Sequence, residues 1–127
     1  KEYASVPIIG NGDIFKPEIA KDMLEKTGCD YVTVARGAIG NPSIFERTNA
    51  FLEGTVLPEP TDAEKKKFFL EFLDYYKQYE YMMNLGELKQ HAVWFIKGAS
   101  GAKSLKDKIM RAKDVEQILE IYDVVQS

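Results

Sequence analysis

Cysteine occurs once in these 127 residues, at Cys29, so no internal disulfide can staple the fold, and a reducing, cytoplasmic setting is the default expectation. Uncharged runs fall far short of the roughly 20 apolar residues of a membrane span, which argues against an integral membrane segment. Lys1, Glu2 and Tyr3 open the chain where a signal sequence would carry a cationic stretch and an apolar core. No starting Met precedes them, and the strand-like Val6-Pro7-Ile8-Ile9 follows almost at once, so the chain reads as cut from a longer fold. Internal repeats and low-complexity tracts are absent too. What is present is an ordinary globular mixture, 45% apolar and 29% charged, in which a core can form without metal or cross-link.

The net charge of −3 hides an uneven distribution. Gly86 to Lys113 carries seven cations against two anions, a local +5, while the rest of the chain sums to −8. Such a stretch suits a polyphosphate ligand, because each neutralised phosphate releases a counterion; it also fits a solvated helix face.

Periodicity divides the chain in two. Val6 to Gly10 and Tyr31 to Ala35 are strand-like, and neither alternates strictly with polar residues, as expected of strands covered on both faces. Pro17 to Thr27 lies between them with helical spacing, opened by a first-turn proline and stopped by Gly28; a further helix is expected from Ser43 to Glu53. This strand, helix, strand, helix order implies a βαβ unit with parallel strands. Gly54 to Pro60 holds two prolines and a glycine and reads as a linker between a 1–53 α/β part and a 61–127 all-α part. Thr61 and Glu64 form a capping-box pattern ahead of a helix through Tyr81, whose apolar face is drawn from Phe68, Phe69, Phe72, Leu73, Tyr75, Tyr76 and Tyr79. Further helices are expected over Leu85 to Ile96, around Leu105 to Ala112, and after an Asp114 cap, giving a bundle of about four.

Asn11-Gly12-Asp13 and Arg36-Gly37 each follow a strand directly. In (β/α)8 barrels, loops at this strand end commonly hold phosphate: glycines without Cβ let main-chain amides approach the oxygens, and an arginine adds a charge-assisted contact. Each motif alone also fits an ordinary strand-to-helix turn.

The run Val6-Pro7-Ile8-Ile9-Gly10-Asn11-Gly12-Asp13-Ile14, then Thr27-Gly28-Cys29-Asp30, then Ala35-Arg36-Gly37-Ala38-Ile39-Gly40-Asn41-Pro42-Ser43-Ile44-Phe45, resembles the end of the barrel in tRNA-dihydrouridine synthases. His91-Ala92-Val93-Trp94-Phe95-Ile96-Lys97-Gly98, continuing to Gly101-Ala102-Lys103, is similar to the basic helix and Gly-rich turn of that family's C-terminal domain. The resemblance implies the last two βα units of a TIM (β/α)8 barrel followed by a tRNA-binding helical bundle. It implies FMN, reduced by NADPH or NADH, as the cofactor that reduces uridine in tRNA at the C5 to C6 bond. Asn11, Gly12, Asp13, Ala35 and Arg36 would then hold the FMN phosphate and ribityl end, and Lys89, His91, Lys97, Lys103, Lys106 and Arg111 would contact tRNA.

Departures occur at Ala35, where the family commonly has Gly, and at Lys89, Gln90, Phe95 and Ser100, which replace Arg, Lys, Tyr and Pro. The family's acid is a cysteine on an earlier loop, so no catalytic residue is expected in this chain, which alone should lack synthase activity. Cys29 is expected as a small buried hydrophobe, Trp94 as packed between helices, and His91 as either a phosphate contact or a core-edge residue. Unpaired strand edges would invite self-association. The alternative is a helical nucleic-acid-binding module that binds no flavin.

Overall fold

The structure is a computed structural model that describes residues 5–79 and 84–125. The chain divides into two compact units, with the division falling between Glu59 and Pro60 along the sequence.

In the first unit, β1 (Ile9–Asn11) and β2 (Tyr31–Thr33) pair in parallel, with Ile9 opposite Tyr31 and Asn11 opposite Thr33. Helix α1 (Pro17–Thr27) connects them. Its first turn begins at Pro17, where the missing N–H costs nothing, and it ends at Gly28, whose left-handed φ of 65° lets its N–H reach the Leu24 carbonyl. A 3-10 turn (Arg36–Ala38) and helix α2 (Ile44–Leu52) follow β2.

The strands differ from their sequence expectation in two respects. They are shorter and shifted. Pro7 has no N–H for a ladder, and the Ile8 N–H is taken by the Asp30 carboxylate at 2.8 Å, so pairing starts at Ile9 and runs to Asn11. At the other strand Ala35, with ψ −96°, turns the chain into the 3-10 turn before Ala35 can pair. Nor are the strands covered on both faces: Gly10 and Val32 face α1, while Ile9 and Tyr31 are 62% and 63% exposed. One covering helix in the described residues shields one face only. Gly10 lets the Met23 and Cys29 side chains pack close, since a Cβ would lie 2.7 Å from the Met23 sulfur and 2.9 Å from that of Cys29. Cys29 is buried in this contact, as its small apolar character suggests.

The second unit holds four helices, α3 (Asp62–Gln78), α4 (Leu85–Phe95), α5 (Ala102–Arg111) and α6 (Val115–Asp123). Three carry side-chain caps. Thr61 and Glu64 bond reciprocally, as do Asn84 and Glu87, and Asp114 accepts from the Gln117 N–H. The two Thr61 bonds, the backbone one first, hold the Glu64 carboxyl below its ordinary pKa.

One core joins the four helices through Phe69, Leu88, Ala92, Ile109, Ile118 and Tyr122. The Phe69 and Tyr122 rings stack at 4.0 Å, and the Tyr122 hydroxyl donates to the Ala92 carbonyl at 2.5 Å. Burial raises the Tyr122 pKa, so the phenol stays neutral and keeps its proton for that bond. The expected apolar face of α3 is narrower than predicted: Tyr75 and Tyr79 are 67% and 52% exposed, because α4 and α6 cover only the Phe69 and Leu73 side. The expected extension of α3 to Tyr81 lies outside the described residues.

Candidate phosphate pocket and cationic helix face

Parallel pairing with Asn11 opposite Thr33 makes both following loops leave the same end of the sheet. They converge. Asn11, Gly12, Asp13, Ile14, Ala35 and Arg36 line one cavity of about 350 Å³, so all five residues expected at a phosphate come together. Asp13 is the single non-glycine residue with positive φ among the described residues, at 39°, a conformation Asp tolerates better than most. Its carboxylate pairs with the Arg36 guanidinium.

That ion pair matters for what the cavity can bind. Both side chains are mostly exposed, so the pair contributes at most about 1 kcal/mol and can yield to a competing anion. The guanidinium then offers forked N–H donors that match a phosphate monoester, beside the loop at Gly12 that no side chain fills. Size and donor type fit a phosphate, while Asp13 leaves the local charge balanced until it is displaced.

The two glycines singled out in the sequence do different work. At Gly12 a Cβ would meet the Met23 methyl at an ordinary 3.4 Å, so this glycine is open toward the cavity. At Gly37 a Cβ would fall 1.8 Å from the Ile14 carbonyl oxygen. Gly37 therefore admits the neighbouring loop rather than a ligand, which corrects its expected role as an open amide.

On the second unit, Lys97, Lys103, Lys106 and Arg111 are exposed, whereas Lys89 is half-buried with its ammonium 3.4 Å from the Met110 carbonyl. None of these, nor Lys108 or Lys113, makes an ion pair among the described residues. The lysines of α3 contrast with them: Lys65, Lys66 and Lys67 pair with Asp62, Asp123 and Glu71 at 3.5, 3.1 and 3.8 Å. Within this unit, paired lysines thus cluster at the start of α3, while the cations of α5 and its flanks have no ion pair among the described residues.

His91 stands apart from the lysines. Its ring stacks on Phe72 at 4.7 Å and lies T-shaped to the Trp94 ring at 4.9 Å. Burial lowers its pKa, against a smaller opposing pull from Glu87, so near pH 7 the imidazole is neutral. The core-edge alternative describes this geometry better than a phosphate-binding cation. Trp94, expected between helices, is 38% exposed, because its helical neighbour Phe95 takes the inward position.

The dihydrouridine synthase (Dus) family model matches residues 1–126. The chain belongs to the dihydrouridine synthase family. It is 32% identical over 124 residues to the probable tRNA-dihydrouridine synthase 1 of Synechocystis sp., covering 97% of this chain and 35% of that protein. It is also 33% identical over 123 residues to tRNA-dihydrouridine synthase B of Vibrio cholerae, covering 94% and 38%. For the Vibrio vulnificus protein of the same name the figures are 38% identity over 104 residues, 76% and 31%. The chain spans about a third of the length of these curated relatives.

Within this family member, sequence reasoning passed over two features of the sites. Lys108 shares a hollow of about 480 Å³ with Arg111 and Gln117; the three-residue spacing of Lys108 and Arg111 was the available signal. Ile14 also lines the strand-end cavity, and no sequence signal marks an apolar residue for that place. No helix among the described residues is long and apolar enough to cross a membrane.

Proposed function

We propose that this chain is the part of an FMN-dependent tRNA-dihydrouridine synthase that holds the flavin phosphate and binds tRNA. The first unit would be the last two βα units of a (β/α)8 barrel, the 54–60 segment a linker, and the second unit a tRNA-binding helical bundle. Bound FMN would supply hydride to the uracil C5 to C6 bond and would itself be reduced by NADPH or NADH. Arg36 would hold the phosphate in place of Asp13, with Asn11, Gly12 and Ala35 shaping the loop around it. The chain alone would not reduce uridine, for two short strands cannot enclose a flavin ring.

The observation that carries the tRNA side is the segregation of charge. Lys97, Lys103, Lys106, Lys108 and Arg111 are exposed with no acidic partner among the described residues, whereas Lys65, Lys66 and Lys67 at the start of α3 are paired. Unneutralised cations are available to phosphates without first breaking an ion pair.

A flavin-free nucleic-acid module is favoured by one observation, the Arg36–Asp13 pair, which already occupies the guanidinium. Titration with FMN and with an unmodified tRNA transcript separates the two readings. A shift of the FMN phosphorus NMR resonance that Arg36→Ala abolishes supports the synthase reading, since the phosphate contact needs no enclosed ring; salt-sensitive tRNA binding with no such shift supports the other. Loss of tRNA binding on replacing Lys103, Lys106 and Arg111 together is expected under both.

A further inference from the structure

Trp94 and Phe95 are adjacent on α4 and meet different fates. Phe95 is 6% exposed and packs among Phe69 and Phe72. Trp94, larger and more costly to leave in water, is 38% exposed. Gln90, Trp94 and Lys97, at spacings of four and three, form one exposed stripe along the helix and its end. The indole is not loose in that stripe. His91 presents its ring to it at 83°, and His91 is itself held by stacking on Phe72 at an interplanar angle of 23°. An aromatic ring braced by a neighbouring ring loses less rotamer freedom when something stacks on it than a free one would.

We propose that Trp94 is a stacking platform for an unpaired nucleobase, oriented by His91. This rests on the tRNA reading above and adds to it a contact that no charge supplies. Unpartnered lysines bind any phosphate backbone alike, whereas an aromatic face takes only a base that has left its helix. Charge complementarity favours this occupant over a protein surface: Lys97 stands three residues from the indole with no acidic partner among the described residues. His91 is here a positioning residue, contributing ring geometry rather than charge.

Trp94 is the chain's one tryptophan, so its emission reports on this position alone. The whole 127-residue chain is titrated into a fluorophore-labelled tRNA transcript and, separately, into a blunt RNA duplex, with anisotropy following binding and tryptophan emission following the site. Emission is expected to quench in step with tRNA binding and to change little with the duplex. Trp94→Leu should weaken tRNA binding by about tenfold with an unchanged salt dependence, and Trp94→Phe should restore most of the affinity. His91→Ala, freeing the indole, should lower the quenching at saturation. Flat anisotropy would remove the tRNA reading and this proposal together. Saturable anisotropy with unaltered emission, equal quenching by the duplex, or wild-type affinity in Trp94→Leu would remove the stacking role and leave the tRNA reading standing.

Discussion

Replacing Gly37 by Ala tests how the cavity proposed for phosphate is built. The added methyl would lie 1.8 Å from the Ile14 carbonyl oxygen, 2.9 Å from its carbon and 3.2 Å from the Phe15 Cα. All three are backbone atoms and cannot swing aside as a side chain would. Restoring ordinary contact requires the 14–15 segment to move by about 1.5 Å, which carries Asp13 away from Arg36. Overpacking of this kind costs about 1–3 kcal/mol, opposed by about 0.4–1 kcal/mol because Ala narrows the unfolded ensemble. A net loss of about 1 kcal/mol is expected, against the roughly 3–9 kcal/mol typical of a unit of 59 residues. Gly28→Ala is the control. It has open space around it and a φ of 65°, so about 1 kcal/mol of backbone strain is expected there with no movement of the cavity. Hydrogen exchange resolved by peptide distinguishes the two, since it reads each unit separately. Faster exchange across 9–15 and 31–38 in Gly37→Ala, together with weaker FMN binding, is the expected outcome. Native exchange rates and native FMN affinity in that variant would refute the close-approach argument.

Three other perturbations are informative. His91 is the chain's single histidine, so one NMR resonance follows its titration, and the midpoint should fall below 6.5 because burial disfavours the imidazolium. The unfolded chain then binds more protons than the folded one over that window, so stability rises with pH up to about 6.5 and is lost on acidification; a midpoint at or above 6.5 would contradict this. Arg47 is 8% exposed and forms two hydrogen bonds to the Glu59 carboxylate, one of 2.8 Å, while its Nε finds no partner among the described residues. Glu59→Gln should cost about 1–2 kcal/mol in urea unfolding, because a nearly buried cation loses its counter-charge, and Arg47→Met should cost less. Finally, β1 and β2 each pair along one side in the described residues, with Ile9 and Tyr31 exposed side by side, so sedimentation at rising concentration should show self-association that Ile9→Lys reduces.

Local rules legible in the residues shaped the helices. The Thr61 and Asn84 boxes, Pro17 at a first turn, Gly28 at a stop, and the three- and four-residue spacing of Leu88, Ala92, Ile118 and Tyr122 act over a few residues, so the sequence states them directly. Strands were less legible. Their ends depend on which partner groups are within reach, and the capture of the Ile8 N–H by Asp30 comes from 22 residues away. Asn11, Gly12, Asp13, Ala35 and Arg36 were readable as a set because strand-end loops follow from the order of elements.

The sequence by itself determined the helical pattern, the cationic stretch and the family, since each is a property of residue order and spacing. Tertiary structure alone decided that Asp13 neutralises Arg36, that Gly37 serves the Ile14 backbone, and that Trp94 faces water while His91 is held between rings. The physical reason is range. Helix caps and periodicity involve neighbours along the chain, whereas charge pairing, steric approach and desolvation depend on which distant groups the fold brings within a few ångströms.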